Sequence, residues 1–291
     1  MSSEIFPPYR HSGKIGIHGP AFAGVAALAA GFPLGFAYAY LMQRIPTIIL
    51  RGFGTVAYGV LFGFLVYGLM KSCKVRNNLA ASVCGLGTGL AALYFAWNGH
   101  VHACFKDAPL LCLPDAMLAS MSYLYENGSW ALRGSGNTTG IPLAIVWAVE
   151  ALFIVGFSTL LPYSMISDLP FCEKNRCWLD EEKKIDTLEA FNDPEHLAAF
   201  KRGDLGPLIQ AKPRTPNAAE FGRLTLKHSP RCDEFCTVRI ENVTLKTDRN
   251  GNTAESKTEL TRNLVLPKSM LALVTKFENF NQTAESLAKA A

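Results

Sequence analysis

Charge is scarce in the first half of this sequence and balanced in the second. Residues 1–163 carry nine Lys and Arg against five Asp and Glu, and residues 164–291 carry 19 of each, so the formal net charge of +4 belongs to the first half. A nucleic-acid binder shows a basic stripe on its soluble part, and the balanced second half argues against that partner. Several catalytic signatures are also missing. There is no glycine loop followed by Lys and Ser or Thr, no G-x-S-x-G, no H-E-x-x-H and no dinucleotide fingerprint opening a helix after a strand. The run Gly85-Leu86-Gly87-Thr88-Gly89 lies inside an apolar stretch and reads as helix packing.

Apolar residues occupy the space that charge leaves. Residues 21–42, 52–70, 79–97 and 141–163 form four runs, each close to the ~20 residues a helix needs to cross a hydrocarbon core of about 30 Å. Helices are the expected form, because backbone groups find no water there. The sequence thus predicts an all-α membrane region with four transmembrane helices over residues 1–163, with an external loop at 98–140. A soluble α+β domain with an antiparallel sheet is expected over residues 164–291.

The cations on the membrane region predict its orientation. Lys71, Lys74 and Arg76 lie between the second and third runs, and Arg10 and Lys14 precede the first. They outnumber Arg44, Arg51, Lys106 and Arg133 on the other side, which places both termini in the cytoplasm of an inner or plasma membrane. A cleaved signal segment ending near Ala37-Tyr38-Ala39 is the rival reading of the first run; it would leave three spans and the same inward tail.

Small residues recur at helical spacing inside the runs: Gly24, Ala27, Gly31 and Gly35, then Gly59 and Gly63, then Gly85 and Gly89. Such stripes let helices approach closely, within one chain or in a homo-oligomer formed through Gly and Ala faces; a glycine-lined pore is the sharper alternative. Pro33 interrupts the first run and predicts a kink. Glu150 is an acid at bilayer depth. A charge there costs about 3 kcal/mol on insertion scales and marks a functional site by default. Its alternative is a protonated or internally paired group, set about 100° or more away from a packing stripe of Ala144, Ala148 and Ala151.

In the external loop, His100, His102 and Cys104 alternate, so an extended backbone would gather them as metal ligands, against a plain interfacial turn. Cys104 and Cys112 could pair in an oxidising compartment. Asp115 caps an expected amphipathic helix of about ten residues carrying Met117, Met121 and Leu124. Glycosylation patterns at Asn127, Asn137, Asn242 and Asn281 fall on both predicted sides and read as chance.

The tail predicts helices at residues 187–191 and 194–200, the second capped by Asp193, and a connector at 211–217. Strands are expected at 223–227, 237–247 and 257–266, with an Asn250-Gly251 turn between the last two and a final helix from Pro267 to about residue 280. Its most specific chemistry is two cysteine pairs, Cys172 with Cys177 and Cys232 with Cys236. Four thiolates make a tetrahedral zinc site, each close pair giving two ligands from one turn. Phe171-Cys172 and Trp178 resemble the surroundings of a zinc-ribbon knuckle, although C-x4-C and C-x3-C depart from its tighter spacing. A structural zinc, free thiols, and disulfides under reversed topology all stay open. Cys73 and Cys84 are read as packing residues.

Three function classes follow. The first is a non-enzymatic scaffold or regulatory protein in the bilayer whose cytoplasmic, zinc-stabilised domain docks a partner protein. The alternative is a transporter or channel component using Glu150, and an enzyme or thiol redox protein is third. The orientation is testable: protease added to sealed, right-side-out cells should leave residues 165–291 intact, and their rapid loss without permeabilisation would reverse the topology.

Overall fold

The structure is a computed structural model that describes residues 5–16, 18–45, 47–105, 107–128, 138–247 and 252–279. Lys106, Arg133, Asn137, Asn281 and the 248–251 turn lie outside the described residues. The chain forms two compact units, one of residues Ser12–Asp168 and the other of Met1–His11 with Leu169–Ala291.

The first unit is a bundle. Helices α1 (His18–Arg44), α2 (Ile48–Ser72), α3 (Asn78–Cys104) and α5 (Gly140–Ser167) are long and apolar enough to cross a membrane, each extending the predicted run at both ends. Asn77 starts α3 by accepting the Ala80 N–H at 2.9 Å, the cap expected of an Asn at that position. Pro33 lies inside an unbroken α1. The short α4 (Pro114–Asn127) starts from Leu113, with Asp115 in its first turn rather than at the cap, and it buries Met117 and Leu124.

Small residues bring the spans together. α3 packs against α1 and α5, and α5 also against α2, whereas the consecutive helices α1 and α2 touch less. On α1 the buried stripe runs Gly19, Ala23, Ala27, Gly31, Gly35 and Ala39, a strict four-residue step; Gly24 points into open space. A Cβ on Gly35 would fall 2.7 Å from the Phe95 carbonyl carbon of α3, and one on Gly59 would fall 2.7 Å from the Phe153 carbonyl oxygen of α5. Gly85 and Gly89 face Ser158 of α5 just as closely. These glycines are therefore helix contacts, the packing reading of the stripes. The expected Ala144, Ala148 and Ala151 stripe on α5 is not the buried one. α5 buries Leu143, Ile154, Ser158, Pro162 and Ile166 instead, because its partners contribute the small residues.

The second unit is built on an antiparallel meander, β3 (Glu181–Leu188), β4 (Glu220–His228), β5 (Phe235–Thr247) and β6 (Thr253–Pro267), in sequence order. Alternation sorts its faces. Leu224 and Leu226 pair with Ile240 and Val238 on the inner face, where Ile185, Leu264, Leu266, Phe200 of α6 (Pro194–Lys201) and Phe6 complete the core. On the other face Arg223 makes two hydrogen bonds to Asp186 (2.6 and 2.8 Å) and two to Glu255 (2.8 and 3.1 Å), joining three strands. Those bonds hold the Glu255 carboxyl well below the usual carboxylate range, at about 2.

Two tail expectations are corrected. Residues 187–191 are not a helix: Thr187 and Leu188 end β3, whose Glu-Glu-Lys-Lys run conceals a strand because an edge strand tolerates charge. The final helix breaks into a short α7 (Leu271–Thr275) flanked by 3-10 turns. The α6 helix stands as expected, with Asp193 accepting the Glu195 N–H at 2.9 Å.

The first residues of the chain close this second unit. Val265 donates to the Pro7 carbonyl (2.9 Å), Tyr9 to the Asn263 carbonyl (2.8 Å), and Phe6 to the Gly203 carbonyl (2.9 Å). The Tyr9 hydroxyl also accepts the Phe171 N–H at 2.9 Å.

The packing role of the glycines separates two neighbours on one helix. Gly85→Ala drives a Cβ into the Ser158 carbonyl of α5, whereas a methyl group on Gly87 would meet nothing within 4 Å. Gly85→Ala should lower bundle stability by about 1–3 kcal/mol, and Gly87→Ala should change it by less than about 0.5 kcal/mol, read from denaturant titration in detergent micelles.

Candidate functional site: a cavity with two ionisable groups and a buried cysteine cluster

The glycine contacts between α2 and α5 do not run the whole length of the helices. Gly63 and Gly59 press on α5, but Gly52, two turns earlier, meets nothing within 4 Å. Where this contact ends, a cavity of about 260 Å³ opens between the helices. Arg51 and Thr55 line it from α2 and Glu150 from α5, among apolar groups that include Ile48, Val149 and Phe153. Ile48 and Val149 are themselves exposed, so the cavity has its rim on the outer flank of the bundle.

A hydrogen-bonded chain fixes its inner wall. The Thr55 hydroxyl donates to the Arg51 carbonyl at 3.0 Å, which leaves its oxygen to accept from Tyr38 at 2.7 Å. The Tyr38 ring stacks on Tyr58 with centroids 4.4 Å apart, and the Tyr58 hydroxyl donates to the Ala92 carbonyl at 3.1 Å. Arg51 Nε donates to the Ile45 carbonyl at 2.9 Å, holding the guanidinium stem at the start of α2. Arg51 acts electrostatically on Glu150. A carboxylate and a guanidinium on one small cavity can together hold a group bearing both charges, or close on each other.

Glu150 stands out in the sequence as an acid at bilayer depth, and the structure puts it on this wall. Arg51 reads from the sequence only as a loop cation. The signal that it belongs to a helix wall is its spacing: Arg51 and Thr55 are four residues apart and face the same way once α2 begins at Ile48.

The expected His100, His102 and Cys104 set does not form, because α3 continues to Cys104 and helical geometry parts the three. His100 Nε2 lies 3.7 Å from Cys104 Sγ one turn away, while His102 Nδ1 contacts the Tyr40 hydroxyl at 2.7 Å. Cys112 is buried elsewhere, its N–H donated to Asn98 Oδ1 at 2.6 Å. Cys104, Cys112 and the other six cysteines are all free.

Three of the four tail cysteines share one buried cluster, and Cys236 belongs to the main core instead. Cys172 and Cys177 are directly opposed in a two-stranded hairpin, β1 (Phe171–Cys172) and β2 (Cys177–Trp178). Cys232 joins both in one buried cluster with Leu179. Cys236, the second residue of β5, lies on the inner face of the main sheet, near enough to Cys232 to interact electrostatically. The Cys172 thiol donates to Asn175 Oδ1 (3.3 Å) and Cys232 to the Phe235 carbonyl (3.4 Å). Burial pushes the Cys172 thiol up to about 12 and Cys236 up to about 11. Among the described residues, no group of three or more His, Cys, Asp or Glu is arranged as it stands to hold a metal ion.

No protein-family model, no curated protein and no solved structure matches the chain.

Proposed function

We propose that this four-helix membrane protein is a binding component of the transport class, whose cavity between α2 and α5 takes the headgroup of a zwitterionic amphiphile from the bilayer. The observation that carries the reading is that Arg51 of α2 and Glu150 of α5 line the same cavity between two apolar helices. An acid such as Glu150 inside a span costs several kcal/mol, and such groups face cavities or partners when they are kept. The guanidinium suits an anionic phosphate or carboxylate, the Glu150 carboxylate suits an ammonium, and Thr55 adds a polar contact. A volume of about 260 Å³ lies just below the ~300–1,000 Å³ of small-molecule pockets, which suits a headgroup with its chains left in lipid. The apolar rim at Ile48 and Val149 fits those chains.

A scaffold whose soluble unit docks a partner is the second reading. One feature favours it: the Thr253–Glu259 part of β6 is exposed, at the end of the sheet where no further strand follows among the described residues, and an open edge accepts an added strand. The charges at Glu255, Lys257 and Glu259 count against that use, since charge on an edge discourages pairing.

Native mass spectrometry of the protein extracted from its own membrane in mild detergent tests the cavity. A zwitterionic lipid should co-purify with the wild type. Arg51→Gln and Glu150→Gln should each reduce its occupancy about tenfold, the ~1.4 kcal/mol scale of one lost charge-assisted hydrogen bond. Gly52→Leu should displace it by filling the open space while leaving both charges. Helical circular dichroism reports that each variant is folded. Equal occupancy in all four proteins, or no bound species in the wild type, would mean that Arg51 and Glu150 serve only each other.

A further inference from the structure

We propose that Cys172, Cys177, Cys232 and Cys236 form a structural zinc site that closes the end of the soluble unit. Two close pairs come from segments about sixty residues apart in the chain; three of their cysteines share one buried cluster, and Cys236 lies in the adjoining core. The hairpin β1–β2 presents Cys172 and Cys177 across from each other, and the turn before β5 brings Cys232 against both and Cys236 beside Cys232. All four are buried, three of them completely. A disulfide uses two sulfurs and leaves two; a tetrahedral zinc uses all four.

The surroundings suit a thiolate site in two further ways. The Asn175 backbone N–H points at Cys172 Sγ, a donor that a negatively charged sulfur uses better than a neutral one. Lys268, anchored through its Nζ to the Ser229 carbonyl at 2.8 Å, lies within electrostatic reach of Cys236. Binding would release four thiol protons, and four sulfur lone pairs would enter the Zn²⁺ shell, giving a centre of net charge −2 that the Lys268 ammonium partly offsets. As thiols, Cys172 donates to Asn175 Oδ1 (3.3 Å) or the Glu234 carboxylate (3.7 Å), a second negative group beside the site, and Cys232 donates to the Phe235 carbonyl. Loss of those protons removes these bonds and frees the sulfurs to turn towards a shared ion.

The site would also supply what packing lacks here. Cys172, Cys177 and Cys232 form a small cluster with Leu179, separate from the main core to which Cys236 belongs. A metal held by both would tie the hairpin after α5 to the sheet. This proposal is independent of the cavity in the bundle.

The test uses the full-length protein in detergent, purified without chelator under reducing conditions. Elemental analysis should find about one zinc per chain. Replacement by Co²⁺ should give thiolate-to-cobalt charge-transfer bands and a tetrahedral d–d envelope. Native alkylation should spare the four cysteines until a strong chelator is added, and the soluble unit should then melt at a lower temperature. Cys172→Ser and Cys236→Ser should each abolish the four-sulfur cobalt spectrum, and Cys84→Ser should leave it unchanged. Should the serine variants fail to fold, the wild-type cobalt spectrum and protection pattern decide alone. Less than stoichiometric uptake after zinc addition, four thiols that alkylate freely in the native protein, a disulfide among them in non-reduced peptide maps, or an unchanged spectrum in Cys236→Ser would each overturn the site.

Discussion

The helical half of this protein depends on how closely α5 approaches α2 and α3. Hydrocarbon offers no partner to a backbone amide, so each span is a helix with its own hydrogen bonds already made. What is left to hold helices together is mainly contact between their surfaces. Gly59 and Gly63 on α2, and Gly85 and Gly89 on α3, remove the side chains that would keep α5 away. The same constraint makes the cavity. Tight contact stops at Gly59, the helices part towards the start of α2, and Arg51 and Glu150 sit on the wall exposed by that parting.

The soluble half depends on two differently used faces of one sheet. Its inner face is apolar and gathers α6, Phe6 and Val274 around Leu224, Leu226, Val238 and Ile240. Its outer face is held by the Arg223 bonds to Asp186 and Glu255, which join β3, β4 and β6. Residues 5–9 then attach along β6, so the soluble fold requires the chain on both sides of the membrane spans.

The spans are legible because their signal is long. About twenty apolar residues in a row have few alternatives, whereas the tail elements are short and ambiguous. β4, β5 and β6 show through Val, Ile, Thr and Leu, but β3 is hidden by four consecutive charges that an edge position accommodates. His100, His102 and Cys104 mislead for a related reason. Alternation brings ligands together only on a strand, and α3 carries helical geometry past the point where its hydrophobicity fades. Of the cavity, the sequence exposes Glu150 and conceals Arg51, since a cation in the first turn of a helix looks like a loop cation until the helix start is known.

By itself the sequence determined the four spans, the change to a less apolar second half, the two cysteine pairs and the acid within the fourth span, because each is a property of composition or of neighbours in the chain. Tertiary structure alone decided which residues meet. Arg51 shares a cavity with Glu150 across about a hundred residues of chain, Cys172 reaches Cys232, and Pro7 pairs with Val265. Such meetings follow from helix approach, strand register and chain closure, and these are set by the packing of many residues at once rather than by any local pattern.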